Sequence, residues 1–152
     1  MTTQELYDFI RQHTLGVMAT VSPTGTPEAA LVGIAVTPEL ELILDTAATS
    51  RKCTNVRDNP RVAFVIGRRG EVTLQYEGMA DEPRGSELRR CKAVYFDKFP
   101  EGREREQWPD ITYIRVRPTW LRYSDYSQTP AQIAERSFTP DHSRAAPIRP
   151  EA

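Results

Sequence analysis

Residues 45–61, DTAATSRKCTNVRDNPR, contain the local signals from which the rest of the chain can be read. An apolar run, Leu40 to Leu44, ends at Asp45 and passes into a short polar turn. Ser50 is placed to cap a helix that begins with Arg51 and Lys52 and runs past Val56. Asn59-Pro60 stops it, because proline has no N–H to donate and disfavours helical backbone in the residue before it. The strand-like RVAFVI follows at once, Arg61 to Ile66. Hydroxyls at Thr46 and Ser50 and two cations therefore gather where helical amides are free and the dipole is positive, which makes an anion site. The plainer reading leaves Arg51 and Lys52 solvated, Ser50 a cap and Thr46 a strand-end threonine. Cations at a helix start oppose the dipole at about 0.3–1 kcal/mol each, and a bound anion reverses that sign.

Working outward, Thr2-Thr3-Gln4-Glu5 has the form of a capping box, followed by Leu6, Phe9 and Ile10 on one helical face. From Leu15 the period changes to that of strands. LGVMATVS, the turn Pro23-Thr24-Gly25-Thr26, EAALVGIAV, the turn at Pro38-Glu39 and LELIL predict three strands whose short links require antiparallel pairing. RVAFVIG and EVTLQYEGMAD, joined at Arg68-Arg69-Gly70, predict two more. Leu88, Cys91, Val94 and Tyr95 predict a helix over 84–97, and 98–110 reads as a polar loop. ITYIRVRP and TWLRYSDY predict one or two closing strands, bent or broken at Pro118. The domain is expected to span residues 1–127, with 128–152 a Pro-rich tail holding four prolines. A closed or split barrel suits so many short strands, because it removes exposed edges.

With 152 residues, 39% apolar and 27% charged, the chain is long enough for one domain with a substantial core. Its net charge of −1 gives no overall attraction to nucleic acid or membrane. Residues 46–70 are locally basic, with six cations against Asp58, but contain only Phe64 among aromatics, too few for a stacking platform. No apolar run is long enough to span a bilayer. Cys53 and Cys91 form no CxxC pair and only two histidines are present, so a zinc site is not expected. Both cysteines are expected to remain thiols in a reducing cytoplasm.

The pattern TxxxSRKxxNVxxNPRVAFV, on Thr46, Ser50, Arg51, Lys52, Asn55, Asn59 and Pro60, resembles the pyridoxamine 5′-phosphate oxidase-like family. LGVMATVSPTGTPEAALV looks like its first hairpin, and QYEGMADE like its strand ending in Glu-Gly. The resemblance covers roughly residues 5–126. It implies a mainly β fold, a six-to-seven-stranded antiparallel FMN-binding split barrel, and a homodimer. It implies that Thr46, Ser50, Arg51 and Lys52 hold the flavin phosphate. Leu31, Val32 and Gly33 would pass along the flavin ring through their backbone. Thr73 and Gln75 would reach the flavin of the other subunit, and Trp120, with Trp108 as second candidate, would supply an aromatic beside the ring or cleft.

The chain also departs from true pyridoxamine phosphate oxidases. EAALVGIAV carries no basic residue, Thr73 stands where those enzymes tend to have glutamine, and the Pro-rich ending does not match their basic one. These departures argue against pyridoxamine phosphate as substrate. No acid–base pair stands out, which is consistent with redox chemistry carried by a cofactor. Two readings remain from the sequence. One is an FMN-dependent oxidoreductase acting on a small molecule, with NADH or NADPH as a possible donor. The other is a carrier or sensor of flavin, F420 or haem without turnover.

Overall fold

The structure, a computed structural model, describes residues 1–67 and 70–139. In chain order its elements are α1 (Thr3–Arg11), β1 (Leu15–Val21), β2 (Pro27–Gly33), β3 (Ala35–Val36), β4 (Leu42–Ala47), α2 (Arg51–Asp58), β5 (Arg61–Ile66), β6 (Val72–Asp81), α3 (Gly85–Lys98), α4 (Gly102–Arg105), β7 (Ile111–Asp125) and β8 (Gln132–Ser137). One sheet contains all the strands in the order β2-β1-β5-β6-β7-β4-β3, with β8 also on β7. Every pairing is antiparallel, and the sheet curls so that β2 approaches β4. This is a split barrel, one of the two forms the strand pattern left open and the one the family resemblance implies.

The local signals act as their chemistry requires. The Thr2 hydroxyl accepts from the Glu5 amide while the Glu5 carboxylate accepts from the Thr2 amide, closing the capping box. Leu6 and Ile10 then seat α1 on the core beside Met18, Ile34, Phe64 and Leu74. At the barrel centre Tyr76 is wholly buried, its hydroxyl 2.9 Å from both the Leu40 and Val116 carbonyls. The strand β4 is apolar at successive positions because it is covered on both sides. Leu42 and Leu44 face the barrel, and Ile43 packs under α3 with Cys91, Tyr95, Phe96 and Tyr113.

Three elements differ from their sequence reading. EAALVGIAV is two strands, not one, because the chain leaves the β1 ladder at Ile34, whose side chain turns into the core. The third predicted strand starts later and runs longer, since Leu40 sits in the turn with φ +66° and ladder pairing begins at Leu42. The polar loop 98–110 contains the short helix α4, held by Arg105 Nε donating to Asp45 across 2.7 Å. Of the alternatives left open at Pro118, the closing segment takes the single strand, β7. The register shifts by one residue opposite Glu77-Gly78, leaving Thr119 as a bulge beside the proline. In addition, the Pro-rich segment after Gln128 includes β8, which pairs with residues 120–125 of β7. The predicted turn at Arg68-Arg69 and the segment from Pro140 onward lie outside the described residues.

Candidate functional site

The helix α2 starts where the 45–61 motif places it. Ser50 has extended backbone and its hydroxyl accepts from the Cys53 amide at 3.3 Å, while no acidic residue occupies the first turn. Around this start three side chains converge. Thr46 Oγ1 lies 3.0 Å from Ser50 Oγ, and Lys52 Nζ donates to Thr46 Oγ1 at 3.3 Å. By helix geometry the Arg51 and Lys52 amides have no intrahelical acceptor. Two hydroxyls, an ammonium and free amides thus share one corner, a donor set suited to a phosphate. Arg51 belongs to the same helix turn but is turned to Glu28 of β2, with which it forms an ion pair. Glu28 also accepts from Asn55 Nδ2 at 2.7 Å, and Asn55, itself 2% exposed, donates to Thr20 at 2.9 Å.

A second feature lies on the outer face of β1, β5, β6 and β7. Cross-strand register puts Leu31, Val17, Val65, Gln75 and Arg122 in one row. Ala29, Ala19, Ala63, Glu77 and Trp120 form the next. The alanines make a shallow floor, and a hollow of about 180 Å³ opens over it, walled by Val17, Val65, Gln75, Glu77 and Trp120. Leu31, Val65 and Val17 are 65%, 51% and 42% exposed, so this face is an open apolar surface.

The residues singled out from sequence therefore fall into two groups. Thr46, Ser50 and Lys52 are in mutual contact, with Arg51 beside them. Gln75 and Trp120 line the hollow, and Thr73 projects from the same face of β6 as Gln75. Leu31 points outward, whereas Val32 is in the core and offers only its backbone on that face. Gly33 allows close approach of the Phe99 ring, which a Cβ there would meet at 3.2 Å. Trp108 is exposed and does not line the hollow. Phe64, the one aromatic in the basic segment, is buried against Tyr76.

Sequence reasoning missed Glu28 and Thr20. The signal for Glu28 was phase, because residues 28, 30 and 32 of β2 share the inward side and a carboxylate there needs a partner. Two further groups are structural. Cys53 is fully buried, and that burial pushes its thiol above the ordinary cysteine range, so it packs the helix rather than reacts. Burial, reinforced by the bond it donates to Asp45, likewise raises the Tyr95 phenol and keeps it protonated.

Comparison with known proteins agrees with this fold. The family model described as pyridoxamine 5′-phosphate oxidase matches residues 2–125. No curated protein matches the chain. Among solved structures, a haem-binding protein of Mycobacterium smegmatis superposes with TM-score 0.76 at 18% identity, covering 90% of this chain. The present chain spans only 58% of that protein's length. The haem storage protein HutZ of Vibrio cholerae gives 0.67 at 17% identity, covering 76% of this chain and 88% of that one. General stress protein 26 of Bacillus anthracis gives 0.64 at 24%, covering 80% and 92%. At these identities the structures share a fold. The family match extends over most of the chain, including the strand–turn–helix motif and the Glu-Gly strand, and the chain belongs to the pyridoxamine 5′-phosphate oxidase-like family of split-barrel proteins.

Proposed function

We propose that this chain is an FMN-binding oxidoreductase that acts as a homodimer on a small molecule other than pyridoxamine phosphate. The observation that carries the reading is the convergence of Thr46, Ser50 and Lys52 on the start of α2, with no acid in its first turn. These residues fit the flavin's terminal phosphate. Hydroxyls and amides donate to its oxygens, and Lys52, with Arg51 nearby, balances its charge. The outer face suits the ring and a second subunit. Its alanine floor and exposed Leu31, Val17 and Val65 offer flat apolar area, and Trp120 and Gln75 provide an aromatic wall and an amide. When bound, the flavin supplies hydride or electron transfer, for which NADH or NADPH is the natural donor to test. The protein's own part is to orient the ring and exclude water from it. Buried free thiols at Cys53 and Cys91 are consistent with a cytoplasmic setting.

The test is the visible spectrum of the purified protein before and after adding FMN, followed by anaerobic mixing with NADH or NADPH in a stopped flow. Flavin bands at about one per subunit that bleach with a donor support the oxidoreductase. Bound flavin that no donor reduces supports a carrier. The structural likeness to the haem proteins of M. smegmatis and V. cholerae keeps a haem carrier as the second reading. A Soret band on adding haemin, with FMN ignored, would decide for it, and F420 is distinguished by its own absorption.

A further inference from the structure

Alternation along β2 places Glu28, Ala30 and Val32 on the inner side of the sheet, opposite the outward Ala29 and Leu31. An inward carboxylate at the rim of a core loses part of its hydration and persists only with partners. Glu28 has two. Asn55, buried within α2, donates to Oε1 at 2.7 Å, and the Arg51 guanidinium pairs with Oε2. Asn55 is in turn fixed by its 2.9 Å bond to Thr20, which lies directly across from Glu28 in the β1–β2 register. The carboxylate of β2 is therefore held at a defined place beside α2 by residues of two other elements, α2 and β1. Arg51, by contrast, is 79% exposed along its side chain and free to change partners.

Resting on the phosphate site proposed above, we infer that Glu28 is a built-in competitor for Arg51 that sets how tightly the site holds a phosphate-bearing cofactor. Glu28 cancels the charge of Arg51, leaving Lys52 as the uncompensated cation of the corner. A phosphate dianion arriving there meets one effective positive charge in place of two. Arg51 serves the phosphate only by leaving Glu28. The device weakens retention of the cofactor and makes affinity depend on the terminal phosphate less than the cation count implies. It also favours exchange of the cofactor over permanent occupancy.

The test is Glu28→Gln, which removes the charge yet can still accept from Asn55, so the β2–α2 contact survives. FMN and riboflavin are titrated into the wild-type chain, Glu28→Gln and Arg51→Ala/Lys52→Ala, reading flavin fluorescence. Glu28→Gln is expected to bind FMN about threefold or more tightly, the scale of one partly exposed ion pair, with riboflavin unchanged because it has no phosphate. In Glu28→Gln/Arg51→Ala the gain should shrink, since the released cation is gone. FMN affinity unchanged or weakened in Glu28→Gln, with the double cation variant still weak, overturns the competitor role and leaves the phosphate site standing. FMN affinity unchanged in Arg51→Ala/Lys52→Ala overturns the site itself. Thermal melts of each variant exclude loss of fold as the cause.

Discussion

Lys52 Nζ stands 3.3 Å from Thr46 Oγ1, so the second residue of α2 reaches back across the polar turn to the end of β4. The contact aims an ammonium at the hydroxyl pair of Thr46 and Ser50 instead of at solvent. Lys52→Ala is expected to weaken FMN binding about tenfold, the equivalent of one charge-assisted hydrogen bond of roughly 1.5 kcal/mol. Riboflavin should be unaffected. Isothermal titration with both ligands checks this, and equal losses for the two would place Lys52 near the ring instead.

Ser50 has two duties that one substitution separates. Aspartate is as good an N-cap as serine, so Ser50→Asp should keep α2 formed and leave the urea midpoint within about 0.5 kcal/mol of wild type. The added carboxylate sits where the phosphate would bind, and FMN binding should fall below detection. Binding that survives Ser50→Asp would move the phosphate away from this helix.

The open face of β1 and β5 predicts the assembly. Val65 is half exposed in the single chain, so Val65→Lys should cost the isolated fold little. Buried between two copies, the same lysine would be unpaired in an apolar contact. Sedimentation velocity should show wild type as a dimer and Val65→Lys as a monomer with unchanged far-UV circular dichroism.

Two glycines should respond very differently. A Cβ on Gly78 would stand 2.5 Å from the Arg117 carbonyl and 2.6 Å from Val116 Cγ1, inside the β6–β7 ladder where backbone cannot retreat. Gly78→Ala is expected to destabilise by about 2–4 kcal/mol in urea unfolding, comparable to overpacking a core. Gly33→Ala meets only the Phe99 ring at 3.2 Å, which can tilt, and should cost about 1 kcal/mol or less.

Glu82 gives the acid side of the stability curve. Its carboxyl is held below the ordinary value of 4.5, first by hydrogen bonding from Arg57, with Thr112 also donating. A depressed folded-state value means the contribution is present above pH about 4.5 and lost as pH falls through the folded value. Glu82→Gln should therefore flatten the decline of the urea midpoint as the pH is taken down from 4.5. Its effect should be largest at neutral pH, where the wild-type pair is intact.

Much of the fold was legible because its signals are local. The Thr2–Glu5 box, the Ser50 cap with Pro60 as stop, and the alternation of Val62, Phe64 and Ile66 each depend on residues a few positions apart. Several features that were not legible depend on a partner far along the chain. The helix α4 depends on Asp45, 60 positions before Arg105. Pro118 continues a strand that pairs with Gly78, 40 positions earlier, with Thr119 bulged beside it. The strand β8 forms on β7, with Arg136 donating to Thr3 and to the Met1 carbonyl. In the candidate site, Thr46, Ser50 and Lys52 were readable from spacing within one turn. Glu28 was not, because an isolated acid in a strand reads as a solvated side chain until the phase of its neighbours is taken into account.

One feature of the sheet also governs how the nascent chain can close. Among the described residues the strand β4 pairs in the ladder with the two-residue β3 and the first half of β7, so its main partner is synthesised more than sixty residues after it. The strands β1, β2, β5 and β6 can pair as they emerge, but β4 waits with Leu42 and Leu44 unsheltered. Until β7 clears the ribosome, the sheet lacks the strand that joins β6 to β4. That interval is when a chaperone would engage this protein, and slowing translation between residues 60 and 111 should lengthen it.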